Sequence, residues 1–174
     1  MTSTAMRPTA PEEVPVRQLR RTRGLRRVGI GALGAVVALG VLNVLGVRTA
    51  AVSGSAGGTS LEIRYAAVTR PGLATPWSAI VRRDGGFEGD IVLATTADYF
   101  SGFDFNQLYP EPSSTTRHGD EIVMTFDAPP GQSFRVDLDG RTSPTIHLGG
   151  SATTRVWVAG EAGPSLSYRT WVMP

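Results

Sequence analysis

Residues 121–139 read EIVMTFDAPPGQSFRVDLD, two alternating runs around a proline-led turn. Ile122, Met124 and Phe126 fall on one face of the first run. In the second, Phe134, Val136 and Leu138 share a face, while Ser133, Arg135, Asp137 and Asp139 share the other. A period of two is the signature of a half-buried strand, because successive side chains point to opposite sides of a sheet. Pro129, Pro130 and Gly131 supply the fixed φ and the permissive backbone that reverse the chain between the runs.

The same period recurs outward from this pair. LEIRY places Leu61, Ile63 and Tyr65 on one face, and further strands are predicted at Trp77–Arg82, Asp90–Thr95, Thr154–Ala159 and Ser165–Val172. No helical period is found here, apart from room for a turn or two within Ala97–Leu108. About seven short strands separated by turn signals predict an all-β sandwich over residues 61–174.

The 174 residues include no cysteine, so neither a disulfide nor a thiolate metal site supports this domain. Charge is segregated along the chain. Residues 1–27 carry seven Arg against Glu12 and Glu13, whereas residues 61–174 carry nine Arg against thirteen acids. The basic pI therefore belongs to the tail, and the folded part has no electrostatic footprint for nucleic acid.

Residues 1–27 read as a disordered, Arg-rich cytoplasmic tail. The run Val28 to Val47 carries no charge, and at 1.5 Å per residue it reaches roughly 30 Å, so it is predicted to be a transmembrane helix contacting the lipid bilayer. Six Arg precede it and Arg48 alone follows, which places the N-terminus in the cytoplasm and the C-terminal domain outside. Small residues after the run leave a cleaved signal peptide as the rival reading, with a mature start near Ser53, although the run is longer than a usual signal core. Gly31 with Ala35 and Gly34 with Ala38 make small-xxx-small pairs, and Asn43 is the one polar residue of the run. Residues 48–60, which include SGSAGGTS, read as a flexible linker.

The segments WSAIVRR and MTFDAPPGQSFRVDL resemble the strand and corner of immunoglobulin-like repeat domains on bacterial cell surfaces. The whole chain is similar to actinobacterial single-pass membrane proteins with an Arg-rich tail, an anchor and a domain containing segments like AAVTRPGLATPW, DYFSGFDFNQLYPEPS and YRTWVMP. The resemblance implies an extracytoplasmic immunoglobulin-like β-sandwich. It implies no activity, cofactor or functional residue.

Candidate chemistry is sparse. Ser113 or Ser114, His118 and Asp120 offer nucleophile, base and orienter types, but residues so close in one loop rarely take up triad geometry. His147 stands apart from other ligand types. Asp137, Asp139 and Gly140 resemble the start of a calcium loop, yet Leu148 stands where the closing acid belongs. Asp84, Glu88 and Asp90 fit a solvated hairpin better than a cation site. No catalytic, cofactor or metal residue is assigned, and the chain reads as non-enzymatic.

The unusual segment is Thr95–Thr116, where Tyr99, Phe100, Phe103, Phe105 and Tyr109 crowd a connection. Aromatic rings in a long loop are candidate partner-binding residues, with capping of the open core as the competing explanation. The expected function is an interaction module contacting another membrane or envelope protein. The alternative is a cell-wall or carbohydrate-binding module, which requires an exposed Tyr or Trp beside carboxylates.

Overall fold

A computed structural model describes residues 16–41, 46–145 and 148–173 of the chain. The chain divides into two compact units between residues 45 and 46.

The first unit contains helix α1 (Val16–Val41). It starts inside the stretch expected to be disordered. The predicted transmembrane helix Val28–Val47 is not found: among the described residues no helix is long and apolar enough to cross a membrane. The described helix opens on six arginines, charges that a hydrocarbon core excludes, before it reaches residues 28–41 of the expected span. Asn43 and the rest of residues 42–45 lie outside the described residues.

The second unit contains β1 (Arg48–Ala56), β2 (Thr59–Thr69), β3 (Trp77–Arg83), β4 (Ile91–Thr96), α2 (Ala97–Ser101), β5 (Phe103–Tyr109), β6 (Ser114–His118), β7 (Glu121–Phe126), β8 (Ser133–Thr142), β9 (Gly149–Val158) and β10 (Glu161–Val172). The expected linker at residues 48–60 is instead a β-hairpin. Ala56 pairs with Thr59 across Gly57 and Gly58, whose φ values of 59° and 72° suit the two-residue turn that matches strand twist. What reads as flexible glycine is turn chemistry, and Ala50 and Val52 of β1 pack against the core.

The strands form one mixed sheet in the order β5-β8-β3-β2-β10-β9-β4-β7-β6, with β1 paired to β2 off this path. Every pairing in it is antiparallel except a two-residue parallel contact, Trp171 opposite Val68 and Val172 opposite Thr69, which joins β10 to β2. This contact is a seam between two antiparallel halves. The sheet curls about it until the inner faces meet: Phe126 of β7 packs at a tilt against Phe134 of β8, with 5.1 Å between ring centres. The expected sandwich is thus two halves of one continuous sheet, with strands β1, β5 and β6 beyond the seven predicted.

The core follows the alternation. Met124, Phe126, Phe134, Val136 and Leu138 are buried, together with Leu61, Ile63, Val81, Ile91, Leu93, Val156 and Val158. Polar groups inside it are satisfied as burial requires. The Trp77 indole N–H donates to the Tyr168 hydroxyl at 2.9 Å. That hydroxyl lies 3.0 Å from Thr154 Oγ1, itself 3.0 Å from Thr95 Oγ1. Thr170 Oγ1 donates to the Ala66 carbonyl at 2.6 Å, so its one proton is used and Tyr99 must donate to it across 2.8 Å. Burial pushes the Tyr168 hydroxyl up to about 12 and also raises that of Tyr99.

Two outcomes follow. Val136→Asp puts a charge at a fully buried position and is expected to cost roughly 3–5 kcal/mol, whereas Arg135→Asp, on the solvent face of the same strand, should cost less than about 1 kcal/mol in denaturant unfolding. Because the folded state holds Tyr99 and Tyr168 protonated while the unfolded chain ionises them near their ordinary value of about 10, stability should fall as pH rises above about 10. Thermal unfolding across that range measures it; a flat profile would contradict the buried tyrosine network.

Candidate functional site at the free edge of the sheet

Helix α2 and strand β5 carry the aromatic segment. The Ala97 N–H bonds the Asp120 carbonyl at 2.8 Å, which sets α2 against the turn before β7 and directs its rings inward. Tyr99 and Phe100 are buried at 4% and 5% exposure. Phe100 meets Trp77 edge-on at 5.4 Å, and Tyr99 meets Tyr168 at 5.3 Å. As partner-binding residues these two are therefore corrected: they cap the core. Phe103 is half-buried with its ring 5.1 Å from that of Tyr99. The Phe105 side chain lies outside the described residues. Tyr109 remains 74% exposed.

Strand β5 was not legible as a strand because a bulge interrupts it. Phe103 and Phe105 lie opposite Thr142 and Gly140 of β8, then the register shifts at Asn106, and Leu108 and Tyr109 lie opposite Leu138 and Asp137. The extra residue breaks the period of two. Among the described residues β5 pairs with β8 on one side and with no strand on the other, and β6 likewise pairs only with β7. The curled sheet is open between these two edges.

A cavity of about 200 Å³ fills that opening, lined by Phe100, Leu108, Ile122, Met124 and Leu138, with Asn106, Gln107 and Thr115 at its rim. It is smaller than the ~300–1,000 Å³ usual for free ligands. On the outer face, a second cleft of about 360 Å³ runs beside Tyr109, Gln107, Asp137 and Asp139, against the Ala74–Pro76 loop. Gln107 borders both. In the outer cleft the carboxylates are already engaged: Arg135 Nε donates to both oxygens of Asp137 at 2.9 and 2.8 Å, and Asn106 Nδ2 donates to Asp139 at 3.4 Å.

The other predicted groups are not brought together. Ser114 and His118 sit at opposite ends of β6, roughly 13 Å apart along an extended strand, and the Ser113 hydroxyl donates to the Thr125 carbonyl at 3.1 Å. His147 lies outside the described residues. Asp84, Glu88 and Asp90 are exposed in the connection from β3 to β4, which do not pair, so the expected hairpin is a crossing between the two halves of the sheet. Among the described residues no three His, Cys, Asp or Glu side chains are placed to hold a metal ion.

No family model matches the chain, and no curated protein matches it. Among solved structures it has distant similarity to BslA, a bacterial hydrophobin, at 14% identity and a TM-score of 0.41, over 72% of this chain and 100% of that one. A non-cellulosomal cohesin from the hyperthermophilic archaeon Archaeoglobus fulgidus matches at 13% identity and a TM-score of 0.35, over 71% of this chain and 91% of the cohesin. BcpA, the major pilin subunit of Bacillus cereus, in its D312A form, matches at 8% identity and a TM-score of 0.39, over 73% of this chain and 40% of the pilin.

The two ends of the aromatic segment should respond oppositely to truncation. Tyr99→Ala removes a buried ring and its hydrogen bond and is expected to cost roughly 3–5 kcal/mol. Tyr109→Ala, at an exposed position, should leave the melting temperature nearly unchanged. Calorimetry of both variants decides this assignment.

Proposed function

We propose that the chain is a non-enzymatic interaction module acting outside the cytoplasm, and that its contact surface is the free edge of β5 with the apolar cavity beside it. The partner is an extended segment of another envelope or membrane protein. One observation supports this reading: the edge of β5 that pairs with no described strand runs along a cavity sized for a single large apolar side chain. An extended partner strand can satisfy the edge's backbone groups while one of its side chains fills the cavity, and Tyr109 extends the contact at the end of β5. The Arg-rich, apolar N-terminal segment serves to bring the domain to the membrane, with the lipid bilayer as its partner.

A carbohydrate-binding role is the second reading, favoured by exposed Tyr109 beside Asp137 and Asp139. It ranks below the first because both carboxylates already have partners within the sheet.

Photo-crosslinking in cells separates them. A photoreactive residue at Gln107 or Thr115 should yield a protein adduct, and the same residue at Ser165, on the outer face of the other half, should not. Tyr109→Ala should lower the Gln107 adduct yield several-fold at unchanged melting temperature. Adducts at Ser165 alone, or retention of the protein on purified wall polymer without any adduct, would overturn the β5 reading.

A further inference from the structure

At the end of the sheet where the chain enters the β unit, exposed apolar side chains stand beside arginines. Register places Arg48 of β1 and Trp171 of β10 both opposite Val68 of β2, with Gly149 of β9 opposite Trp171, so these four residues make one row across the seam. Around this row large apolar side chains stay in solvent. Leu148 is 75% exposed, and Trp171 and Met173 are each 48% exposed.

The charge of this corner is of one sign. Arg48 and Arg169 are exposed and Arg70 is half-buried, and the Arg169 guanidinium lies 3.7 Å from the centre of the Trp171 ring. Among the described residues, none of the three lies within 4.0 Å of a carboxylate. The only acids of β1, β2, β9 and β10 are Glu62 and Glu161, both toward the far end of their strands. That far end also carries Asp84, Glu88, Asp90 and Asp127, in the loops after β3 and β7. The corner's end of the unit also holds Asp98 and Asp104, which pair with Arg117 and Arg141, and the far end also holds Arg82 and Arg83 against its six acids, so the balance is basic at the corner and acidic at the far end.

We propose that this corner rests on the surface of an anionic lipid bilayer, with Trp171 and Met173 at headgroup depth and Arg48, Arg70 and Arg169 against lipid phosphates. Tryptophan favours that layer because its ring is apolar and its N–H polar, and arginine offers planar donors to phosphate. The acidic far end is repelled by the same surface, which fixes the orientation. In the sequence the uncharged run Val28–Val47 immediately precedes Arg48. The surface is separate from the β5 edge, so this inference stands or falls independently of that reading.

The absence of cysteine makes a single introduced thiol unique. The full chain carrying Met173→Cys, labelled with an environment-sensitive fluorophore, is mixed with vesicles containing phosphatidylglycerol, and Asp84→Cys at the far end serves as the control. The proposal predicts a blue shift and protection from aqueous quencher at position 173 and neither at position 84. Replacing Arg48, Arg70 and Arg169 by Gln should weaken the vesicle-dependent signal about tenfold or more at low salt, with the melting temperature retained. A label at 173 that stays in water on vesicle-bound protein would overturn it. So would a shift of equal size on purely phosphatidylcholine vesicles, or a shift that follows protein concentration without lipid, which would make the corner a self-association face.

Discussion

The hydrogen bond from the Trp77 indole to the Tyr168 hydroxyl is the constraint on which the β unit depends. It joins β3 to β10, the two strands that flank β2 on opposite sides of the seam, from inside the core. The seam itself is only two residue pairs long, too short to set the angle between halves containing ten strands. Inner-face contacts must do so. Rings from both halves converge on this bond: Tyr65 and Tyr99 pack on Tyr168, and Phe100 packs on Trp77. In a chain without cysteine, a buried and fully satisfied polar link of this kind fixes how far the sheet curls.

That curl decides where the unpaired edges lie. With the halves closed at the seam, β5 and β6 are left facing an opening, and the apolar lining of the cavity there is the rim of the same core. The edge that offers backbone groups and the pocket that offers apolar surface therefore arise from one geometric cause. Tyr99 and Phe100 contribute by holding the rim from beneath, and Tyr109 by standing clear of it.

Seven strands were legible from alternation because each has one face on the core: β8, for example, alternates without a break from Ser133 to Leu138. The three that were not legible are an off-path strand and the two edges of the sheet. In β6 all five residues are exposed, so STTRH has no apolar face to betray it. The Asn106 bulge scrambles the period of β5, and β1 is built of small residues ending at a Gly-Gly turn, a composition shared with linkers. The candidate site was half legible for the same reason. Aromatic content drew attention to Thr95–Thr116, but composition alone does not separate Tyr99, which α2 turns inward, from Tyr109, which β5 leaves in solvent. The span Val28–Val47 is not found among the described residues, where helix α1 opens on arginines that composition places in a tail.

A double-mutant cycle on the central bond tests the account most directly. Trp77→Phe, Tyr168→Phe and the double variant are compared by denaturant unfolding, so that the cavity left by the indole cancels and the coupling between the two side chains remains. A coupling energy of about 1 kcal/mol or more is expected for a buried hydrogen bond whose loss strands a donor. Additivity of the two single changes to within about 0.3 kcal/mol would show that the halves are held together by something other than this bond.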